Sequence, residues 1–209
     1  MSTLLYLQAS PRKERSYSTQ VADIFVQRWR EANPGSAVTV KNLFEESLMP
    51  FDGHALQARY HARQHELLTP EEREAWAQVT LVAEEFKAAD RLVIASPMWN
   101  FMIPYRLKHY LDILIQPGLT FTVTPEGQYQ GLATRTKALC VLARGSAYPA
   151  GTPAEAYDFQ SKYLQFALGF IGVTDVTTLC VEPTLAGKEQ AEQARDAMAA
   201  KARELAATF

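Results

Sequence analysis

The sequence predicts an α/β fold: a doubly wound, five-stranded parallel sheet with helices on both faces. Short apolar runs, each followed by a segment with helical spacing of apolar residues, recur along the chain. Right-handed crossovers between parallel strands place the intervening helices on the two faces of the sheet. No internal repeat or low-complexity linker interrupts the alternation, so we expect one domain over residues 1–209.

The first third of the chain predicts two strands separated by a helix. Residues 3–7 form a short apolar run, and residues 18–32 have helical apolar spacing. An Asn-Pro-Gly sequence at residues 33–35 ends this helix, and residues 37–43 alternate like a strand with one solvated face. The apolar residues within 44–68 follow neither helical nor strand spacing. We interpret this segment as an excursion from the alternation of strands and helices, and we expect it to contain a short helix.

A strong helix-start signal follows this excursion. Thr69 is a suitable N-cap, Pro70 occupies the first helical position, and Glu72 stands three residues after the cap. The helix is expected to end near residue 89. Residues 91–96 contain the apolar run Leu92-Val93-Ile94, as in a strand covered on both faces, and predict the central strand.

The second half of the chain continues the alternation and adds a hairpin. In order, the predicted segments are a helix over 104–115, a hairpin over 118–132, a strand over 137–143, a helix over 154–168, a strand over 175–181 and a helix over 187–207. A Pro-Glu-Gly turn at residues 125–127 supports the hairpin.

Composition and charge narrow the class of protein. The 209 residues carry a formal charge of -2 and a pI of about 6.1, so we expect no nucleic-acid partner and no anionic membrane surface. We expect no leader or membrane span, because no segment approaches ~18 uninterrupted apolar residues. Cys140 and Cys180 lie in predicted strands, which argues against a disulfide. A cytoplasmic location fits these observations.

Ligands of doubly wound sheets bind beyond the carboxyl ends of the strands. The loops to inspect are therefore residues 10–18, 97–102 and 143–151. The chain contains neither G-x-G-x-x-G nor G-x-x-x-x-G-K-[ST], which argues against a dinucleotide-binding cradle and against an NTPase.

The first of these loops predicts a phosphate site. It has no glycine, and it offers the hydroxyls of Ser10, Ser16 and Ser18 beside the start of a helix, whose free N–H groups suit an anion. The alternative is that Ser16 or Ser18 only caps the helix. The basic residues within 12–15 are interpreted as a solvated run and left out of the site.

The other two loops predict a site for a flat heteroaromatic ring. Met98, Trp99, Asn100 and Phe101 combine apolar surface with an amide, although a buried plug beneath the sheet is the alternative. Gly145 follows the next strand and lets a ligand approach the backbone closely.

In these motifs the chain resembles the FMN-dependent NADH:quinone oxidoreductases, also called FMN-dependent NADH-azoreductases, a family of flavodoxin-like fold with strand order 2-1-3-4-5. The resemblance spans the whole chain. It implies bound FMN, NADH or NADPH as hydride donor, and ping-pong reduction of quinones or azo compounds without a catalytic side chain. It also implies a homodimer with FMN near the interface. The implied cofactor contacts are Ser10, Ser16, Tyr17, Ser18, Pro97, Met98, Trp99, Asn100, Phe101, Ala143, Arg144, Gly145 and Ser146.

The resemblance further implies that Phe101, Phe121 and Phe166 line the acceptor pocket, although each could be ordinary core. The chain departs from the family at Ala143 and Ser146, where members often carry serine and a second glycine, and also at Val123, where some carry tyrosine. We expect these differences to leave flavin binding intact. They do put in doubt the acceptor preference that the resemblance implies.

Two other functions stay open at this stage. A flavodoxin-type electron carrier would use the same fold and cofactor, but carriers tend to be shorter and markedly acidic. A hydrolase, such as an acyl carrier protein phosphodiesterase, is disfavoured because the chain has no G-x-S-x-G motif. No metal site is expected, since His61 and His65 are four residues apart without a matching third ligand.

Overall fold

Five parallel strands form the central sheet of a computed structural model that describes residues 2–64 and 66–209, with only the backbone described at Arg63. The sheet strands are β1 (Thr3–Gln8), β2 (Ala37–Asn42), β3 (Arg91–Pro97), β6 (Lys137–Ala143) and β7 (Val176–Val181), and a separate antiparallel hairpin joins β4 (Phe121–Val123) to β5 (Tyr129–Gly131). The sheet order is β2-β1-β3-β6-β7. This confirms the predicted order 2-1-3-4-5 once the hairpin strands are left out of the numbering.

Helices cover both faces of the sheet, as predicted. They are α1 (Tyr17–Ala32), α2 (Gly53–Gln64), α3 (Pro70–Ala88), α4 (Tyr105–Leu114), α5 (Phe159–Phe170) and α6 (Lys188–Ala206). One core joins the sheet to α3, α4 and α5, and the other joins it to α1 and α6. Leu92 and Ile94 of β3 enter the first core and Val93 the second, because successive side chains of a strand point to opposite faces.

The predicted start of α3 is confirmed in detail. The Thr69 hydroxyl accepts a hydrogen bond from the Glu72 N–H at 3.2 Å, and the Glu72 carboxylate accepts one from the Thr69 N–H at 3.0 Å. The same carboxylate lies 2.9 Å from Nδ1 of His61. It therefore also ties α3 to α2, the short helix expected in the excursion.

His65, the second histidine of the pair considered for a metal, lies outside the described residues. Within the described ones, no group of three His, Cys, Asp or Glu side chains could hold a metal ion. Likewise, none of the helices that the structure describes has the length and apolar character needed to cross a membrane.

The helix predicted over residues 154–168 begins later than expected, which corrects that prediction. Residues Pro153–Tyr157 form a separate 3₁₀ turn, and α5 starts at Phe159. Asp158 causes the break, because its carboxylate accepts a hydrogen bond from the Ser161 N–H at 2.9 Å and so caps a new helix.

Both cysteines are free thiols on neighbouring strands, in agreement with the expected absence of a disulfide framework. Burial raises the pKa of Cys140 to about 12 and that of Cys180 to about 11. Because the thiolate is the reactive form, neither thiol is suited to nucleophilic chemistry near neutral pH.

Candidate functional site

A crevice opens at the carboxyl ends of the strands, where the order of the sheet reverses around β1 and β3. Its walls come from the three loops predicted from the sequence and from a fourth loop that follows β7. The lining residues are Ser10, Pro11, Arg12, Ser16, Tyr17, Pro97, Met98, Trp99, Ala143, Gly145, Thr184 and Leu185.

At the junction of β1 and α1, no side chain of the described residues caps the first turn of the helix. Ser16 occupies the N-cap position, yet its Oγ lies 3.1 Å from Oγ of Ser18 and caps no backbone N–H. The alternative that one of these serines serves as the cap is therefore wrong. The N–H groups of the first turn and the positive end of the helix dipole are left for another acceptor.

Further polar groups surround this junction. The Ser10 hydroxyl accepts a hydrogen bond from the Arg12 N–H at 3.3 Å. In the first turn of α1, Oγ1 of the buried Thr19 has no hydrogen-bond partner among the described residues. The crevice lining, as far as the described chain shows it, includes hydroxyls and an arginine but no carboxylate. Such a set of donors is suited to an anion.

The loop after β3 forms a tight turn that presents aromatic side chains. The N–H of Trp99 donates to the carbonyl of Met102 at 2.8 Å, and the N–H of Met102 donates back at 3.0 Å. Asn100 and Phe101 occupy the turn with φ of 46° and 70°. Left-handed backbone is unfavourable for phenylalanine, so the paired hydrogen bonds must hold this turn.

The aromatic side chains of this turn are on the surface. Trp99 is 37% exposed and Phe101 is 47% exposed. The Trp99 ring lies 5.7 Å from that of Phe44, and the Phe101 ring lies 5.6 Å from that of Tyr157. The alternative of a buried plug beneath the sheet is therefore wrong, and the loop provides an accessible aromatic surface.

The loops after β6 and β7 are joined by hydrogen bonds. The Gly145 carbonyl accepts from the N–H of Leu185 at 3.0 Å and from that of Thr184 at 3.1 Å. This pairing places Leu185, which is largely exposed, beside the backbone of Gly145 at the crevice.

Comparison with known proteins fits this geometry. A family model described as a flavodoxin-like fold matches residues 2–206. An FMN-dependent NADH:quinone oxidoreductase of Nitratidesulfovibrio vulgaris is 53% identical over 210 residues, which cover 100% of each chain. This chain belongs to the flavodoxin-like family of FMN-dependent NADH:quinone oxidoreductases. The family resemblance inferred from the three loops is thereby confirmed.

Solved structures of azoreductases share the architecture. The crystal structure of an azoreductase from Bacillus anthracis str. Sterne superposes with a TM-score of 0.91 at 30% identity, covering 100% of both chains. An FMN-dependent NADH-azoreductase from Bacillus anthracis str. Ames Ancestor, solved in complex with FMN, gives a TM-score of 0.86 at 25% identity and covers 99% of this chain and 100% of its own.

Not all of the cofactor contacts implied by the family resemblance line the crevice. Those that do are Ser10, Ser16, Tyr17, Pro97, Met98, Trp99, Ala143 and Gly145. The exceptions are Ser18, Asn100, Phe101, Arg144 and Ser146. Ser18 is fully buried, with its hydroxyl against that of Ser16. Arg144 is also buried, because its guanidinium pairs with carboxylates inside the protein.

Four lining residues were missed by the sequence analysis: Pro11, Arg12, Thr184 and Leu185. Arg12 was set aside as part of a solvated basic run, although it stands in the one loop whose hydroxyls indicated an anion. Thr184 and Leu185 belong to a loop with no distinctive motif. Only the position of that loop, after the strand next to β6, could have indicated a role.

The three phenylalanines expected around the acceptor do not come together within one chain. Phe121 and Phe166 both pack on Phe170, at ring distances of 4.7 Å and 6.3 Å, whereas Phe101 contacts Tyr157. Phe121 is nearly buried, as the core alternative required, but Phe166 is 71% exposed.

Proposed function

We propose that this chain is an FMN-dependent NADH:quinone oxidoreductase that also reduces azo compounds. One observation carries the proposal: the uncapped first turn of α1 and the surface of Met98 and Trp99 line one crevice. An anion site next to an apolar aromatic surface matches FMN, which has a phosphate at one end and a flat ring at the other. The relatives named for FMN, similar over the full length of the chain, support the same conclusion.

The phosphate end would be held at the junction of β1 and α1. Ser10 and Ser16 supply hydroxyls, and the first-turn N–H groups of α1, from Tyr17 onward, supply backbone donors. Ser18 supports Ser16 through the contact between their hydroxyls. A phosphate gains both hydrogen bonds and the favourable end of the helix dipole at such a position.

The ring end would lie against Met98 and Trp99, with backbone donors from the loop after β6. Met98 and Arg144 cannot donate, since their N–H groups already bond the carbonyls of Ala143 and Val181. Among the described residues, the N–H of Gly145, which lines the crevice, donates to no protein group. It is the donor of this loop that is available to stabilise negative charge on the pyrimidine edge of the ring.

When bound, FMN supplies the hydride chemistry between NADH and a quinone or azo compound. The chain contributes binding and orientation, and we assign no catalytic side chain. Because a ring held against one wall leaves one face open, donor and acceptor must use that face in turn. Steady-state rates at several fixed acceptor concentrations should therefore give parallel double-reciprocal lines, as in a ping-pong mechanism.

Exposed aromatic side chains support a homodimer with FMN near the interface. Tyr129, Tyr157, Phe159 and Phe166 are each more than half exposed, although large apolar groups of this kind are normally covered. Pairing of two copies would cover them and could bring Phe101 of one copy near Phe121 and Phe166 of the other. We expect a cytoplasmic dimer in which each chain forms one flavin-binding domain, and light scattering would measure its mass.

The decisive experiment is a visible absorption spectrum of the purified protein with FMN, under anaerobic conditions. The flavin bands should bleach on addition of NADH and return on addition of benzoquinone. Continued turnover with a soluble quinone and no partner protein would distinguish an enzyme from a flavodoxin-type carrier. A protein that neither retains nor binds FMN would contradict the proposal.

A further inference from the structure

We infer that Arg144 is a positioning residue for the flavin site, which sets two walls of the crevice through a buried ion-pair network without touching the cofactor. The inference rests on the proposed function. It reassigns Arg144, which the family resemblance implied as a direct cofactor contact, and it extends the site to the residues that Arg144 binds.

The guanidinium of Arg144 is surrounded by acceptors. Its side chain is only 2% exposed, and Nη1 donates to the Glu182 carboxylate at 3.3 Å. Nη2 forms an ion pair with the Asp158 carboxylate at 2.9 Å, but it makes no hydrogen bond among the described residues. Its Nε donates to the side-chain carbonyl of Gln160 at 3.1 Å. The Tyr148 ring stands on another side, 5.8 Å away. A buried charge with two carboxylate partners has little freedom to move, because leaving them would expose each group unpaired.

These partners belong to different elements at the carboxyl end of the sheet. Asp158 caps α5, and Glu182 directly follows β7. Gln160 donates in turn to the carbonyl of Ser96 in β3, at 3.4 Å. Arg144 itself follows β6, so its side chain joins the ends of three sheet strands to the start of one helix.

The backbone of Arg144 strengthens the same junction. Its N–H donates to the Val181 carbonyl at 3.0 Å, and its carbonyl accepts from the Thr184 N–H and hydroxyl, each at 2.9 Å. Ala143 and Gly145, on either side of Arg144 in the chain, line the crevice, as does Thr184. The network therefore fixes the relative positions of the loops that would carry the ring end of the flavin.

Arginine is required for this role. A guanidinium is planar, keeps its charge and offers several N–H donors in fixed directions, whereas lysine is a single point charge. Arg144→Lys would keep the charge beside Asp158 and Glu182 but could not reach all three acceptors. It is therefore the informative change, since removing the charge outright would leave the buried Asp158 and the partly buried Glu182 unpaired and risk unfolding.

The test is a fluorescence titration of the apo-protein with FMN, for wild type and Arg144→Lys. We expect the Kd to rise about tenfold, the effect of losing roughly one charge-assisted hydrogen bond. The absorption spectrum of FMN at saturation should also change, because the ring would sit against displaced walls. A purely structural role would lower the urea midpoint of the apo-protein and leave the Kd and the spectrum unchanged.

Arg91→Lys is the matched control. Arg91 starts β3 at the opposite end of the sheet, and its side chain donates to the backbone carbonyls of Asp90 and Phe209. We expect it to lower stability without changing the Kd for FMN. Equal loss of FMN affinity in both variants would mean general loosening of the sheet and would overturn the inference.

Glu182→Gln covers the case in which Arg144→Lys does not fold. Glutamine keeps the shape and an acceptor but removes the charge, while Asp158 still pairs with Arg144. We expect a rise of about threefold in the Kd, smaller than for Arg144→Lys, because glutamine still accepts a hydrogen bond from Arg144 and only the charge is lost. A variant with wild-type Kd and spectrum would contradict the inference alone, whereas a wild-type protein that does not bind FMN would contradict the proposed function and the inference with it.

Discussion

Gly145 lies so close to Leu185 that a Cβ atom at Gly145 would be 2.7 Å from Cδ1 of Leu185. The contact joins the loops after β6 and β7 at the wall of the crevice. Since the Leu185 side chain is 85% exposed, it can move aside with little loss of packing.

Gly145→Ala should therefore affect binding more than folding. We expect a loss of about 1 kcal/mol or less in the free energy of unfolding, because the displaced atom is the end of an exposed side chain. The Kd for FMN should rise severalfold, since the displaced side chain changes the crevice wall. Leu185→Ala in the same chain should recover part of that affinity, and additive effects of the two changes would contradict the direct contact.

Glu72 should make the stability of the protein sensitive to acid. The pKa of the Glu72 carboxyl is lowered below its usual value of 4.5. The larger cause is the hydrogen bond from the Thr69 N–H, and the next is the hydrogen bond from His61. A carboxyl whose pKa is lower in the folded than in the unfolded state stabilises the folded protein. Its full contribution is present above the pKa of the unfolded state and is lost as the pH falls through the pKa of the folded state. The loss should therefore begin as the pH falls below about 4.5.

Glu72→Gln should flatten this dependence, as measured by urea unfolding on both sides of pH 4.5. Thr69→Ala is the matched variant, because it removes the hydroxyl cap and keeps the N–H that binds Glu72. Thr69→Ala should lower the free energy of unfolding by about 1 kcal/mol at every pH. An unchanged pH profile in Glu72→Gln would show that the carboxylate contributes nothing through its ionisation.

The hairpin depends on close backbone contact between Gly131 and Gly172. A Cβ atom at Gly131 would lie 2.1 Å from the backbone N of Gly172, and backbone cannot move aside as a side chain can. We expect Gly131→Ala to lower the free energy of unfolding by about 3 kcal/mol or more. A Cβ atom at Gly53, at the start of α2, would meet no atom of the described residues within 4 Å, so Gly53→Ala should be nearly neutral. Equal urea midpoints for the two variants would refute the contact.

Local signals were enough for most of the fold. The strand predicted over residues 137–143 is β6 as found, because its apolar run is covered on both faces. The capping box at Thr69 needs only residues within one turn. The break before α5 was missed although its cap is local, because Asp158 and Ser161 lie inside a segment with continuous helical spacing. That Asp158 also pairs with Arg144 depends on a residue distant in the sequence and has no local signal.

The candidate site was predictable where chemistry lies within one loop. Ser10 and Ser16 of the first loop line the crevice, as do Met98 and Trp99 of the aromatic turn. Leu185 carries no such signal, since it enters the site only through the pairing of its loop with Gly145. Conversely, Arg144 stands in a recognisable motif, but its side chain points into the protein because two carboxylates of other elements bind it there.

The most direct test of the account compares FMN with riboflavin, which lacks the phosphate, in binding to the apo-protein. We predict that wild type binds FMN at least about 100-fold more tightly, equivalent to roughly two charge-assisted hydrogen bonds to the phosphate. Ser16→Ala should reduce that ratio while leaving the riboflavin Kd unchanged. Equal affinity of the wild-type protein for both flavins would contradict a phosphate site at the start of α1.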